Sequence, residues 1–283
     1  KVKAYQPLGK VIMLPLKRGG EQILAIRFAY QKDIPYAIYA DNSKQYNGTL
    51  QIWICRVNTT ENNIQKIHTD ISALLSIFKS GIFAILMILH IAFYINYPKL
   101  KANLFFGLYS CCLSLVFGIS FFIFSGTNHL QFFYLSEIIL FLNTLAVLSF
   151  VEAIYKLFKE KKGGMYKIIV VLGVVTLLVI VSLFKWGVLA TTFFSFFGTL
   201  EVIRVSVKAA FVRKRGVTII SLGVSCYLLF FSFFLFYFSK LGFDSNWIVF
   251  GRYLSYNIGV LSLPIAISLY LAREFAFTSK DLA

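Results

Sequence analysis

The feature that most constrains this chain is a succession of apolar runs, each about long enough to cross a bilayer and none keeping a charged face. Residues 217–239 (VTIISLGVSCYLLFFSFFLFYFS) are the plainest case. A soluble amphipathic helix would place a charged residue on its outer face every three or four positions. Without one, the solvent for the outer face is lipid. Across the 283 residues, 58% are hydrophobic and 14% charged, both on the wrong side of the averages for a soluble domain. The expected spans are residues 74–96, 103–125, 131–155, 166–184, 187–211, 217–239 and 247–271, each near the ~20 residues that cross a hydrocarbon core. The expected fold class is a mostly α membrane protein, a seven-transmembrane helix bundle over residues 74–271.

The basic residues fall between these runs. Lys99 and Lys101 lie in the first loop, Lys156, Lys159, Lys161, Lys162 and Lys167 around the third, and Lys208, Arg213, Lys214 and Arg215 around the fifth. The alternate loops hold only Lys185 and Lys240. By the positive-inside rule the first set is cytoplasmic, which puts the amino end outside and the carboxyl end inside; the expected location is the inner (plasma) membrane. The net charge of +16 is thereby used for orientation, and no nucleic-acid partner is expected, since the basic residues do not gather on one module with interleaved aromatics.

Residues 1–60 differ in character. Residues 22–30 (QILAIRFAY) and 50–57 (LQIWICRV) have strand length and strand composition, and turn signals stand before each, at Gly19-Gly20 and Asn47-Gly48. They are expected to close a partial extracytoplasmic β-sandwich. About 60 residues make a small core, so further strands and a signal peptide are expected upstream of Lys1. Residues 61–73 are polar and helix-compatible, a juxtamembrane helix leading into the first span; residues 272–283 begin a cytoplasmic signalling helix.

Ionisable and amide side chains inside spans are costly in lipid and point to switches or sites. The candidates are Glu137 and Asn143 in the third span, Glu201 and Arg204 in the fifth, and Arg252 and Asn257 in the seventh. Glu137 and Arg252 share a depth and are candidates for a pair. Glu201 and Arg204, at i and i+3, suit a local ion pair, and Glu152 has neighbouring lysines to meet. Pro264 is the expected kink of the seventh helix. Beyond it, Leu271, Phe275, Thr278 and Leu282 are spaced as a heptad seam, which suits a coiled coil in a homodimer. The three histidines, His68, His90 and His129, share no ligand spacing, and no nucleophile elbow, zincin, P-loop or dinucleotide motif occurs. No metal, cofactor or catalytic residue is expected of this chain.

Three stretches, KRGGEQILAIRF at 17–28, YPKLKANLFFGLYS at 97–110 and SLYLAREFAFTSKDLA at 268–283, carry a resemblance to the bacterial seven-transmembrane receptors with diverse intracellular signalling modules. The resemblance implies a sensor with a jelly-roll-like β-sandwich: an extracytoplasmic ligand, carbohydrate or another small molecule, acts through seven helices on a cytoplasmic output module such as a histidine kinase, nucleotide cyclase or phosphatase. The alternative is a small-solute transporter or channel.

The basic-loop bias makes a topological prediction. Alkaline phosphatase fused after Gly126 or Gly242 should be active, and fused after Gly163 or Arg215 inactive. Activity of the Gly163 fusion would invert the orientation.

Overall fold

An apolar run in lipid must satisfy its own backbone amides and carbonyls, and a helix does so within one segment. The computed structural model describes residues 59–124, 129–182, 184–211, 217–239 and 246–282. Seven helices follow one another there: α1 Thr59–Asn96, α2 Lys101–Phe124, α3 His129–Leu157, α4 Gly164–Ser182, α5 Phe184–Phe211, α6 Val217–Ser239 and α7 Asn246–Leu282. Six carry a stretch long and apolar enough to cross a membrane: Asp70–Asn96, Lys101–Phe124, Gln131–Leu157, Gly164–Ser182, Trp186–Ala209 and Leu254–Arg273. In α6 the corresponding stretch among the described residues is the shorter Thr218–Phe230. The chain is thus a multi-pass helical membrane protein; among the described residues six helices are span-length, and the stretch expected as the sixth of seven spans, 217–239, is described as a helix but only in part as an apolar span. The β-sandwich expected over residues 1–60 lies outside the described residues, except that Thr59 and Thr60 open α1.

The helix ends follow from local chemistry. At the end of α1 the Tyr97 amide still donates to the Phe93 carbonyl at 2.9 Å. Pro98 then brings no amide, and the chain turns, with the Leu100 amide bonded to Tyr97 O at 3.0 Å, into α2. At the end of α3 the Glu160 amide donates back to Tyr155 O at 3.0 Å and the Lys159 amide to Lys156 O at 3.3 Å. That is a Schellman closure, and it holds Lys159 at φ 50°, a left-handed position that usually belongs to glycine.

Two helices are much longer than a membrane requires. α1 has 38 residues and α7 has 37, about 55 Å each at the helical rise, against a hydrocarbon core of about 30 Å. Pro264 lies inside α7 and cannot donate to the Val260 carbonyl, yet the helix continues to Leu282.

α1, α2 and α3 pack in succession, α5 packs on α3, α4 covers α3 and α5, α6 joins α5 to α7, and α7 meets α1 along a narrow strip. The buried cluster gathers Phe106 of α2, Ile154 of α3 and Phe158 just after it, Ile169 of α4, Val205 of α5, Ile220 of α6, and Ile267 and Leu271 of α7. Each lies toward the basic-loop end of the bundle. Elsewhere large apolar side chains face outward, such as Ile85, Leu178 and Val181. Outward apolar faces add nothing to helix association in lipid, which rests on close packing and hydrogen bonds.

Close packing requires small residues at particular crossings. A Cβ built on Gly223 of α6 would collide with Ala266 of α7, whereas one built on Gly81 of α1 would meet nothing within 4 Å. Gly223→Ala should therefore lower stability by about 1–3 kcal/mol through overpacking, while Gly81→Ala should be neutral or raise it by up to ~1 kcal/mol. Thermal melting of the two variants in the same detergent checks this; equal melting points would mean that the α6–α7 crossing is not close.

Candidate functional site: buried polar links between the first and last helices

The inward face of α1 is polar although the helix crosses lipid. Ser72, Ser76, Lys79, Phe83 and His90 are all buried, at spacings of four, three, four and seven that keep them on one helix face. The opposite side carries Leu74, Phe78, Ile85 and Ile88, all exposed. The usual soluble arrangement is inverted, because here the inward polar groups find partners on neighbouring helices and the outward apolar ones find lipid.

His90, with no exposed surface, joins three helices. Its Nδ1 lies 3.0 Å from Oδ1 of Asn103 on α2, and its Nε2 lies 3.0 Å from the hydroxyl of Ser268 on α7. With the Asn103 oxygen as acceptor, His90 donates from Nδ1, and in the neutral ring Nε2 then accepts the Ser268 hydroxyl proton. Phe106 sets its ring against the imidazole at 4.5 Å between centroids and 73°. Since α1 and α7 meet along only a narrow strip, this hydrogen bond is a large part of what connects them.

Lys79 lies on the same face of α1, about three turns before His90. Its ammonium is 4.4 Å from the ring centre of Phe117 on α2 and 5.1 Å from that of Tyr256 on α7. Lys79 is 7% exposed, and no carboxylate among the described residues pairs with it. The aromatic faces supply the negative potential that a carboxylate would otherwise give. One residue further, Ser80 and Ser114 exchange hydrogen bonds, each hydroxyl donating to the other's backbone carbonyl at 2.8 and 3.0 Å.

A second polar group ties α3 to α4 and α5. Glu201 is 2% exposed and accepts from Arg204 through both carboxylate oxygens, at 2.7 Å each. The Tyr155 hydroxyl of α3 also donates to Glu201, so the pair at i and i+3 is extended across to α3. Glu152 accepts from Lys162 at 2.8 Å and from the Tyr166 hydroxyl of α4 at 2.6 Å, with Lys156 at 3.7 Å. In the loop, partial burial works against the Lys162 charge, but the hydrogen bonds and charge of Glu152 outweigh it and hold its pKa above the ordinary lysine value. Lys208 of α5 reaches Glu160 in the same loop.

The residues expected as switches are thus only partly brought together. Glu201 and Arg204 pair. Glu137 and Asn143 are half-buried on α3 and Asn257 on α7, while the pairing of Glu137 with Arg252 lies outside the described residues because the Arg252 side chain is not among them. Leu271, placed by its spacing on an exit seam, is 2% exposed in the bundle core, so any seam open to a partner starts at Phe275. The side chains of Phe275, Thr278 and Leu282 lie outside the described residues, although the helix that carries them does not. Lys79 and His90 were the side chains not singled out as candidates, yet both are ionisable groups within the expected first span, and the rule that selected the others would have selected them.

If His90 couples α1 to α7, His90→Phe and Ser268→Ala should each cost about 1–2 kcal/mol, and the double variant should cost less than their sum. A thermal-unfolding cycle measures this; strictly additive losses would remove the link. Comparison with known families, curated proteins and solved structures found no match for the chain.

Proposed function

We propose that this chain is the sensing and transmitting half of a bacterial seven-transmembrane receptor, seated in the inner membrane with its amino end outside. A stimulus received by the segment before α1 moves α1, the motion passes to α7, and α7 carries it to an output module beyond residue 283. The observation that carries this reading is the His90 link. The two helices it joins are the two that outrun the membrane, α1 before Asp70 and α7 past Arg273. α1 and α7 are parallel if successive helices alternate in direction, so those extensions leave from opposite faces.

A hydrogen bond between helices gives a stimulus something to act on. Two packings of similar free energy, with and without the His90 to Ser268 contact, would respond to any ligand that binds them differently. The rival, a transporter or channel, would be supported by a broken helix lining a midplane site, whereas α7 continues past Pro264 through the span to Leu282.

In this reading two copies meet through the end of α7. Single cysteines at positions 275, 278 and 282 of the full-length protein should crosslink between subunits in membranes, and those at 273, 276 and 280 poorly. His90→Phe should change the ratio of the 275 and 278 crosslinks. Crosslinking without that periodicity, or saturable solute uptake by the purified protein in liposomes, would replace the receptor reading with the transporter one.

A further inference from the structure

At the basic-loop end of the bundle, a cleft of about 460 Å³ opens between the first loop, the end of α3 and the end of α7. Five lysines line it: Lys99, Lys101, Lys156, Lys159 and Lys162. Lys156 and Lys162 share the Glu152 carboxylate. Glu160, also in the lining, is matched by Lys208 from outside it. Lys99, Lys101 and Lys159 pair with no carboxylate among the described residues. Among the described residues, the five lysines of the lining stand against Glu152, shared by Lys156 and Lys162, and Glu160, already matched by Lys208, which leaves an excess of positive charge around one concave site.

Two further features suit an anion. α2 starts at Lys101, and Leu100, Lys101 and Ala102 line the cleft, so the positive end of the α2 dipole lies beside it. Lys159 holds the left-handed position that closes α3, where glycine would fit without strain. A lysine kept at a backbone position that disfavours it, in the lining of the cleft, fits a functional demand for its charge.

We propose that this cleft binds a phosphate-bearing anion. A phosphate oxygen cluster takes several ammonium groups and helix amides at once, which a lone chloride or carboxylate would use less fully. The same chemistry arrives from two sources, the headgroup of an anionic phospholipid or a phosphate free in solution. Leu271 and Tyr270 of α7 form part of the lining, so occupancy would bear directly on a buried turn of α7. The proposal stands on the cleft alone and does not need the receptor reading.

The test uses the purified full chain in nanodiscs and follows its melting point. One arm compares phosphatidylcholine discs with discs that include phosphatidylglycerol; the other titrates inorganic phosphate into phosphatidylcholine discs at constant ionic strength. Lys99→Gln/Lys159→Gln is set against Lys161→Gln/Lys167→Gln, which removes equal charge from the same end but outside the cleft. A stabilising shift present in the wild type and the second double variant and lost in the first supports the site, and the arm that shows it names the source. Where binding saturates, apparent affinity should fall about tenfold or more in the first double variant. Lys159→Gly supplies a variant that cannot be dismissed as misfolded: it should melt at or above the wild-type temperature while the ligand shift shrinks. Equal responses in the two double variants, no shift with either probe, or an undiminished shift in Lys159→Gly would overturn the proposal.

Discussion

In lipid a buried polar side chain has no water to return to, and a helix that carries several of them on one face must set that face against partners. α1 is such a helix. Its stripe from Ser72 to His90 is answered by Ser114, Phe117 and Asn103 on α2 and by Tyr256 and Ser268 on α7. The rotation of α1 about its axis follows from this matching, since the apolar residues on its other side have no preference among lipid neighbours. The positions of α2 and α7 beside it are tied to the same groups.

The rest of the bundle holds itself by a different balance. α3, α4 and α5 are joined through Glu201, Arg204 and Tyr155, and through Glu152, Lys162 and Tyr166, all toward the basic-loop end. The apolar core lies at that end as well. A charge at this depth is near the interface, where a lysine stem lies along apolar surface while its head reaches water, so ionic links there cost less than they would at midplane. Lys79 and His90, set within the span of α1, are held by aromatic and hydrogen-bonding partners instead. One end is cross-linked by charge and packing, while α1 and α7 are joined to each other by a thin contact.

Much of this was legible in the residues. The helices, their approximate limits and the membrane class follow from run length and hydropathy, which are local properties. The Glu201–Arg204 pair was legible because both residues sit on one helix, where i and i+3 are neighbours whatever surrounds them. Tyr155 as a third member was not, since nothing in the spacing says that α3 turns that residue toward α5. The seam over residues 271–282 shows the same limit: a heptad pattern describes one face of a helix without saying what covers it, and for Leu271 the cover is the bundle's own core.

The sequence by itself determined that the chain is helical, crosses a membrane repeatedly and concentrates its basic residues at alternate loops, because the hydrophobic length of a run and the charge of a loop act without reference to any other part of the fold. Only the tertiary structure decided that His90, thirteen residues before Asn103 and far before Ser268, meets both, and that lysines from the first and third loops surround one cleft. Those meetings depend on how each helix is rotated and which helix lies beside it. Lipid leaves both open, and the few polar groups and close glycine crossings between helices set them.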